Sequence, residues 1–375
     1  MKILFICGCL EPSRDAVGDY VRQLSEELVR QGHDPFALAL SDPYVNSLSS
    51  TTQAPDKKIL SAVRLPADWK PSRRLEQAKL WTEIVDPDVL SVQYTPLSFD
   101  VKGLPLLLGQ DIKHLAKTRK VHMMLHETWA DTGRSASIKQ KLHALAQQQI
   151  LKRSLNMIRP VLIHSHLPVY LNQMKALGFK ARPLQLFSNI PFSKEKVISD
   201  DAVFRIGLFS PVEPGEELVA FLKSIISEVN ALGIRAAMVL IGGDEAEMRT
   251  YKEEYERIPG LKGQVLLTGP LQVREISALI QTCSMGITSV ALHSLGNSGS
   301  VAAFLSHGVP VAAPVIHPGL ASQDIGLPSA ALSHAILVEP TYESFVEARD
   351  AASAAGKELS VSAVAASFIT DLQGL

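Results

Sequence analysis

Three short stretches of this chain carry residue types and spacings able to do chemistry. In the first, His126 and Glu127 close the apolar run Val121–Leu125. An imidazole titrates near neutrality when unperturbed, and the adjacent carboxylate is a second candidate base, so the pair suits a polar ligand contact or general acid–base work. Trp129, two residues beyond Glu127, stacks on a ligand ring or simply packs. The second stretch is Asn297-Ser298-Gly299-Ser300, which precedes an apolar helical pattern ending near His307. Ser298 or Ser300 suits a helix N-cap, and a helix start presents open N–H groups and a positive dipole end to a phosphate. Gly299 lets a ligand approach the backbone; the alternative is an ordinary capped helix. The third holds Arg14, Asp15 and Gly18 in one loop, where Arg14 is a cation for an anionic ligand and Asp15 a cap.

Positioning these residues requires strands that end where the polar residues begin. Residues 2–7 form a continuous apolar run bounded by Gly8, as in a strand buried on both faces of a parallel sheet. Val17, Tyr20, Val21, Leu24 and Leu28 then recur at helical spacing, and Gly32 suits the end of that helix. A strand at 36–40 completes a βαβ unit. The alternation predicts further strands near 59–65, 89–93, 121–125, 161–164 and 183–187, and helices near 73–84, 104–118, 137–157 and 168–177. Residues 41–58, rich in Ser, Thr, Pro and Asp, read as a loop, and the polar segment Ser188 to Asp201 reads as a linker.

A second series follows, with strands near 203–209, 237–241, 265–268, 285–290, 309–313 and 335–338. Its helices lie near 215–231, 245–257, 272–282, 299–307 and 341–354, with a last one at 359–373. The expected organisation is a Rossmann-like domain over 1–190, a second over 200–357, and a C-terminal segment, 358–375, crossing back to the first. Two such sheets facing across a cleft place ligands at the carboxyl ends of their strands, where His126 and Ser298 fall. Gly242-Gly243-Asp244 and Gly269-Pro270-Leu271 are strand-to-helix turns, with Asp244 a candidate cap.

Composition excludes several classes. The 375 residues suffice for two cores, and 46% hydrophobic with 20% charged residues is globular. A formal net charge of -1 argues against a nucleic-acid partner. Cys7 and Cys9 alternate along a strand and point to opposite faces, and Cys283 is remote in sequence, so no metal set is expected and a reduced, cytoplasmic setting fits. His164 and His166 lack nearby Cys or Glu and read as structural rather than as zinc ligands. The N-terminal run reads as a strand, because Glu11, Arg14 and Asp15 follow without a small-residue cleavage site. No apolar stretch is long enough to span a bilayer.

The opening MKILFICGCLEPSRDAVGDYVRQLSEELVRQGH, with its Gly32-His33 pair, resembles the first βα unit of GT-B glycosyltransferases related to the glycosyl transferases group 1 family. VHMMLHETW is similar to the strand that ends in a cleft histidine, here His126. QVLLTGPLQVREISALIQTCSMGITSV and GNSGSVAAFLSHGVPVAAP resemble the donor-binding region. In order and spacing the resemblance covers nearly the whole chain. It implies a metal-independent sugar transferase without a bound cofactor, with a nucleotide-sugar as substrate. It places Asn297, Ser298, Gly299 and Ser300 at the donor phosphates with Gly18 and Arg14, and Gly269, Pro270 and Leu271 beside the base. It gives His126 and Glu127 catalytic or sugar-contacting roles.

The departures from that family are specific. Many retaining members carry a Glu-x7-Glu pattern; matching on Gly308-Val309-Pro310 puts Leu295 and Ala303 at those positions, and neither side chain accepts a hydrogen bond. The Arg and Lys usual near the start of the second domain are missing from GLFSPVEPGEE, so Arg14 is the cation left to compensate. The leading expectation is transfer of a sugar to a glycan, a lipid-linked saccharide or a small molecule. The alternatives are a degenerate GT-B ligand-binding or partner protein and a GT-B sugar-nucleotide epimerase. A cytoplasmic location, with peripheral contact at the inner face of a membrane, accommodates the lipid-linked case.

Overall fold

The computed structural model describes residues 1–12, 14–53, 60–130, 137–193, 202–209, 214–243, 245–290, 292–313, 330–338 and 340–375. The chain divides into two compact units. The first comprises Met1–His166, Tyr170–Leu184 and Ala365–Leu375, the second Leu167–Val169 and Gln185–Val364.

The first unit opens with β1 (Lys2–Cys7), α1 (Ala16–Arg30) and β2 (Asp34–Asp42). Asp15 caps α1 by accepting from the Val17 N–H at 2.9 Å, and Gly32 leaves the helix at φ 83°. β3 (Ser49–Gln53), β4 (Leu60–Pro66), α2 (Pro71–Val85), β5 (Val89–Tyr94), α3 (Pro96–Phe99) and α4 (Leu108–Ala116) follow. β6 (Lys120–Leu125), α5 (Ile138–Ile158), β7 (Leu162–Ser165), α6 (Pro168–Ala176) and β8 (Arg182–Pro183) complete it. The sheet order is β3-β4-β2-β1-β5-β6-β7-β8, parallel throughout except for β3, which pairs antiparallel with β4. Part of the segment expected as a loop over 41–58 is therefore an edge strand. Its residues, SSTTQ, carry no apolar alternation to announce it.

The second unit contains β9 (Val203–Phe209), α7 (Glu216–Ala231), β10 (Arg235–Ile241), α8 (Glu245–Tyr255), β11 (Val265–Leu267), α9 (Val273–Gln281) and β12 (Met285–Ile287). After a 3-10 turn at Leu292–Asn297 come α10 (Gly299–Ser306), β13 (Val311–Ala312), α11 (Ala330–Ala335), β14 (Ile336–Leu337) and α12 (Tyr342–Glu358). The all-parallel order β11-β10-β9-β12-β13-β14 is the doubly wound 3-2-1-4-5-6 arrangement. The last helix, α13 (Val361–Gln373), returns to the first unit, where Phe368 packs against Phe5, His122 and His164. The expected cap Asp244 and residues 194–201 of the expected linker lie outside the described residues.

The two faces of the first sheet differ. One is mainly apolar: Leu4, Ile6, Leu90, Val92, Met123, Leu125 and Ile163 pack with residues of α2, α4 and α5. Residues of opposite parity on the three strands β5–β7 include Ser91, Gln93, His122 and His164, with His166 just past the end of β7, all buried.

Candidate functional site

Both sheets reverse direction of growth at one point, between β1 and β5 and between β9 and β12. Ligands of doubly wound sheets bind outside the carboxyl ends of the strands at such a switch point. In the first unit the chain crowds itself there: a Cβ on Gly8, just past β1, would stand 1.9 Å from the Ser98 carbonyl oxygen. Gly18 has a comparable structural reason, since a Cβ would lie 3.0 Å from the Cys9 carbonyl oxygen as α1 packs on the loop after β1. Arg14 is exposed in that same loop; Ser13 beside it lies outside the described residues.

His126 sits directly after β6, one strand from the switch, and is buried at 5% exposure. Both ring nitrogens are engaged. Nε2 meets Gln93 Oε1 at 2.9 Å, Nδ1 meets His166 Nε2 at 3.0 Å, and the Tyr20 ring stands edge-on at 5.0 Å. The contacts continue in both directions. His166 Nδ1 reaches the Leu184 carbonyl at 2.8 Å, while the Gln93 amide donates to Ser91 Oγ at 2.8 Å. Ser91 Oγ meets His122 Nδ1 at 2.8 Å, and His122 Nε2 meets His164 Nδ1 at 3.2 Å. His164 Nε2 then meets Asp371 Oδ2 on α13 at 3.1 Å, and Arg182 pairs with the other carboxylate oxygen. One chain of hydrogen bonds thus crosses β5, β6 and β7.

The chain has a proton deficit. It contains seven contacts between two ends, the Leu184 carbonyl and the Asp371 carboxylate, that can only accept. Four neutral imidazoles, one hydroxyl and one amide place six hydrogens in it, so completing every contact takes one added proton. Burial opposes that proton. Desolvation pushes His164 and His166 down to about 4, against the pull of Asp371 on the first and of the Leu184 carbonyl on the second. Desolvation also holds His122 and His126 well below the usual imidazole range, with neighbouring histidines adding to it. His126 is therefore a neutral, doubly engaged ring, able to act on a ligand only by releasing one of its partners.

Glu127, the next residue, is exposed, and desolvation raises its carboxyl above the ordinary value. Beneath it lies Tyr94, a buried phenol whose hydroxyl has no hydrogen-bond partner among the described residues and whose pKa is raised by burial and by the Glu127 charge. Trp129 packs at the edge of the apolar core. Among the described residues, no group of three or more His, Cys, Asp and Glu could hold a metal ion.

In the second unit, α10 follows β12 at the switch point. Ser298 is its N-cap, accepting from the Val301 N–H at 3.4 Å, with Ser300 Oγ 3.1 Å from Ser298 Oγ. The cap serves the third helical N–H; those of Gly299 and Ser300 are the ones a helix start leaves open. Ser298 is buried, Asn297 and Ser300 are half-buried, and Gly299 is exposed with open space where a side chain would stand. What fixes the helix is Phe304, one turn on. A Cβ on Gly286 would lie 2.5 Å from its ring and one on Gly207 2.7 Å, so two strand glycines recess the sheet to receive it. Leu295 and Ala303 are both buried in the apolar cluster around this helix.

Gly269 is buried at φ 63° and bridges to Gly242, whose N–H donates to Thr268 Oγ1 at 3.1 Å. Pro270 is exposed and Leu271 half-buried. The turn is thus tied to the neighbouring strand through backbone, as a strand-to-helix turn requires.

The residues that sequence reasoning missed are Ser91, Gln93, His122 and Asp371, with His164 and His166 read only as structural. Their signal is a period-two set of polar residues, Ser91 with Gln93 and His164 with His166, inside otherwise apolar strands.

No family model matches the chain, and no curated protein matches it. Solved structures do. Sucrose-phosphate synthase from Thermosynechococcus elongatus superposes with a TM-score of 0.61 at 14% identity, covering 100% of this chain and 98% of that one. The lipopolysaccharide outer core galactosyltransferase WaaB gives 0.55 at 13% identity, covering 100% and 99%. A protein from Listeria monocytogenes described as a UDP-N-acetylglucosamine 2-epimerase gives 0.53 at 12% identity, covering 98% and 94%. The chain has the GT-B type of fold, two Rossmann-like α/β units. Among the described residues, no helix is long and apolar enough to cross a membrane.

Proposed function

We propose that this chain is a glycosyltransferase that takes a sugar from a nucleotide-sugar donor, with the start of α10 as the seat of the donor's phosphate. The observation carrying the reading is the open, rigidly anchored helix start at the switch point of the second sheet. The N–H groups of Gly299 and Ser300, the Ser300 hydroxyl and Asn297 are the donors, and Gly299 leaves the approach clear. The turn at Gly269, Pro270 and Leu271 is assigned to the base. Glu127 is assigned as the proton acceptor from the acceptor hydroxyl, since it is exposed and its raised pKa makes it a stronger base than an ordinary carboxylate. His126 positions the residues around it through its contacts with Gln93 and His166. Arg14 is the exposed cation available to an anionic ligand in the first unit, while Gly18 serves the packing of α1. The reading takes the acceptor as a glycan, a lipid-linked saccharide or a small molecule, uses no metal and no bound cofactor, and places the protein in the cytoplasm or at the inner face of a membrane.

A second reading, a nucleotide-binding GT-B protein without transferase activity, is favoured by the apolar Leu295 and Ala303 where retaining relatives place glutamates. A thermal-shift series with nucleoside diphosphates and nucleotide-sugars, followed by assays for donor hydrolysis and transfer, separates the two. A ligand that binds only the folded state raises Tm with concentration. Stabilisation together with sugar release supports the transferase; stabilisation with an intact donor under every acceptor tried supports the second reading. Absence of stabilisation by any nucleotide contradicts both.

A further inference from the structure

We propose that the outward face of α5 docks the protein on an anionic lipid surface, a property separate from the proposed transfer reaction. The helix buries Ala144, Gln147, Leu151, Ser154 and Leu155. At about 100° per residue, Ile138, Leu142 and Leu145 fall together on the opposite side. They are 79%, 62% and 53% exposed. The solvent side of a helix in a globular domain is ordinarily polar, so an apolar stripe there is a surface waiting for an apolar phase.

The charges around the stripe say which phase. Every charged residue of α5 is basic: Lys139, Lys141, Lys152 and Arg153. The chain as a whole carries -1, so this helix is a local positive region rather than a sample of the average surface. Lysines flanking an aliphatic stripe let their stems lie along hydrocarbon while the ammonium groups reach anionic headgroups. The stripe contains no Trp, Tyr or Arg anchor of the kind that dominates protein interfaces. Exposed apolar residues recur on a neighbouring helix, where Glu83 beside them is paired with Lys117. α4 packs against both α5 and α2, and α2 exposes Leu80 and Ile84, again four residues apart. α4 itself exposes Lys113 and His114. A capping box at Ser137 and Gln140 fixes the start of α5, so the stripe is presented without an ordering cost.

The test is flotation of the full chain with vesicles of phosphatidylcholine alone and of phosphatidylcholine with phosphatidylglycerol in equal parts. The expected result is binding to the anionic vesicles only, weakened by salt. Leu142→Glu with Leu145→Glu should lower the partition by at least about tenfold, as two leucines lose their apolar contact. Lys139→Glu with Lys141→Glu should lower it comparably. Unchanged thermal unfolding shows that the variants fold, and unchanged nucleotide binding keeps this proposal separate from that of the α10 site. Absence of flotation by the folded wild type, or flotation of either variant equal to that of the wild type, overturns the proposal. So does concentration-dependent self-association abolished by the leucine changes without vesicle binding, which would make the stripe a contact between copies.

Discussion

The polar face of the first sheet and the start of α10 in the second unit handle hydrogen bonds in opposite ways. In the first, seven contacts link six buried side chains to one another, to the Leu184 carbonyl and to the half-buried Asp371, and almost nothing is left over for a ligand. In the second, a single cap is made and the N–H groups of Gly299 and Ser300 have no partner among the described residues. A buried polar network adds order at the risk of unmet groups, whereas an open helix start has donors ready without reorganisation. In the proposed function, accordingly, binding falls to the backbone of α10, and the histidines are the frame that holds the end of β6 in place.

The largest effect that can break this comparison is at the anchor of α10. Phe304→Ala empties the recess made by Gly207 and Gly286 and should cost about 3–5 kcal/mol by urea unfolding. A loss below about 1 kcal/mol would show that the helix is held otherwise. Glu127→Gln should leave stability within about 0.5 kcal/mol while lowering transfer by about a hundredfold or more. Retention of the full rate would remove Glu127 from the chemistry.

The network supplies two sharper comparisons. His122→Leu removes one of the two partners of Ser91 Oγ and leaves His164 Nδ1 without its partner, and should cost about 1–3 kcal/mol. Ser300→Ala, at the open helix start, should change stability by less than about 0.5 kcal/mol and act on ligand affinity alone. Equal losses of stability in the two variants would erase the distinction drawn here. The pH dependence follows from the depressed histidines. His164 and His166 fall from an unfolded value of about 6.5 to about 4. Because the unfolded chain binds protons first, the stability they contribute is complete above about pH 6.5 and is lost as pH falls towards 4, with no further loss below. The one added proton that completes the chain belongs between His126 Nδ1 and His166 Nε2, because the contacts from Gln93 to Asp371 are complete with neutral rings. Urea midpoints between pH 7 and pH 4 read this slope, and replacing both histidines by Leu should flatten it. A slope of the same size in that double variant would place the acid sensitivity elsewhere.

Most strands and helices were legible because each buried strand of a parallel sheet is a short apolar run between turn residues. Val203–Phe209 and the final helix are read directly from such patterns. β3 was not, since a Ser/Thr stretch acquires its strand character from pairing with β4 rather than from its own residues. The start of α10 was visible as Ser298 and Gly299, but its anchor was not: Gly207, Gly286 and Phe304 meet only through the alignment of β9, β12 and α10. The histidine chain was illegible for a similar reason. His122 faces Leu162, and Met124 faces His164, so the rings meet diagonally across a register that no single segment encodes. Asp371 reaches them only because α13 returns to the first unit.

The central claim is that the backbone at the start of α10 binds a phosphate of the nucleotide. Gly299 offers the direct measurement, because its surroundings are open and a side chain there leaves the fold undisturbed. Calorimetric titration of the wild type and Gly299→Val with the nucleoside diphosphate that most stabilises the wild type compares the site with and without its approach. The account predicts equal thermal stability without ligand and an affinity at least about tenfold lower in the variant, a loss of about 1.4 kcal/mol or more. Equal affinity in two equally folded proteins would contradict it.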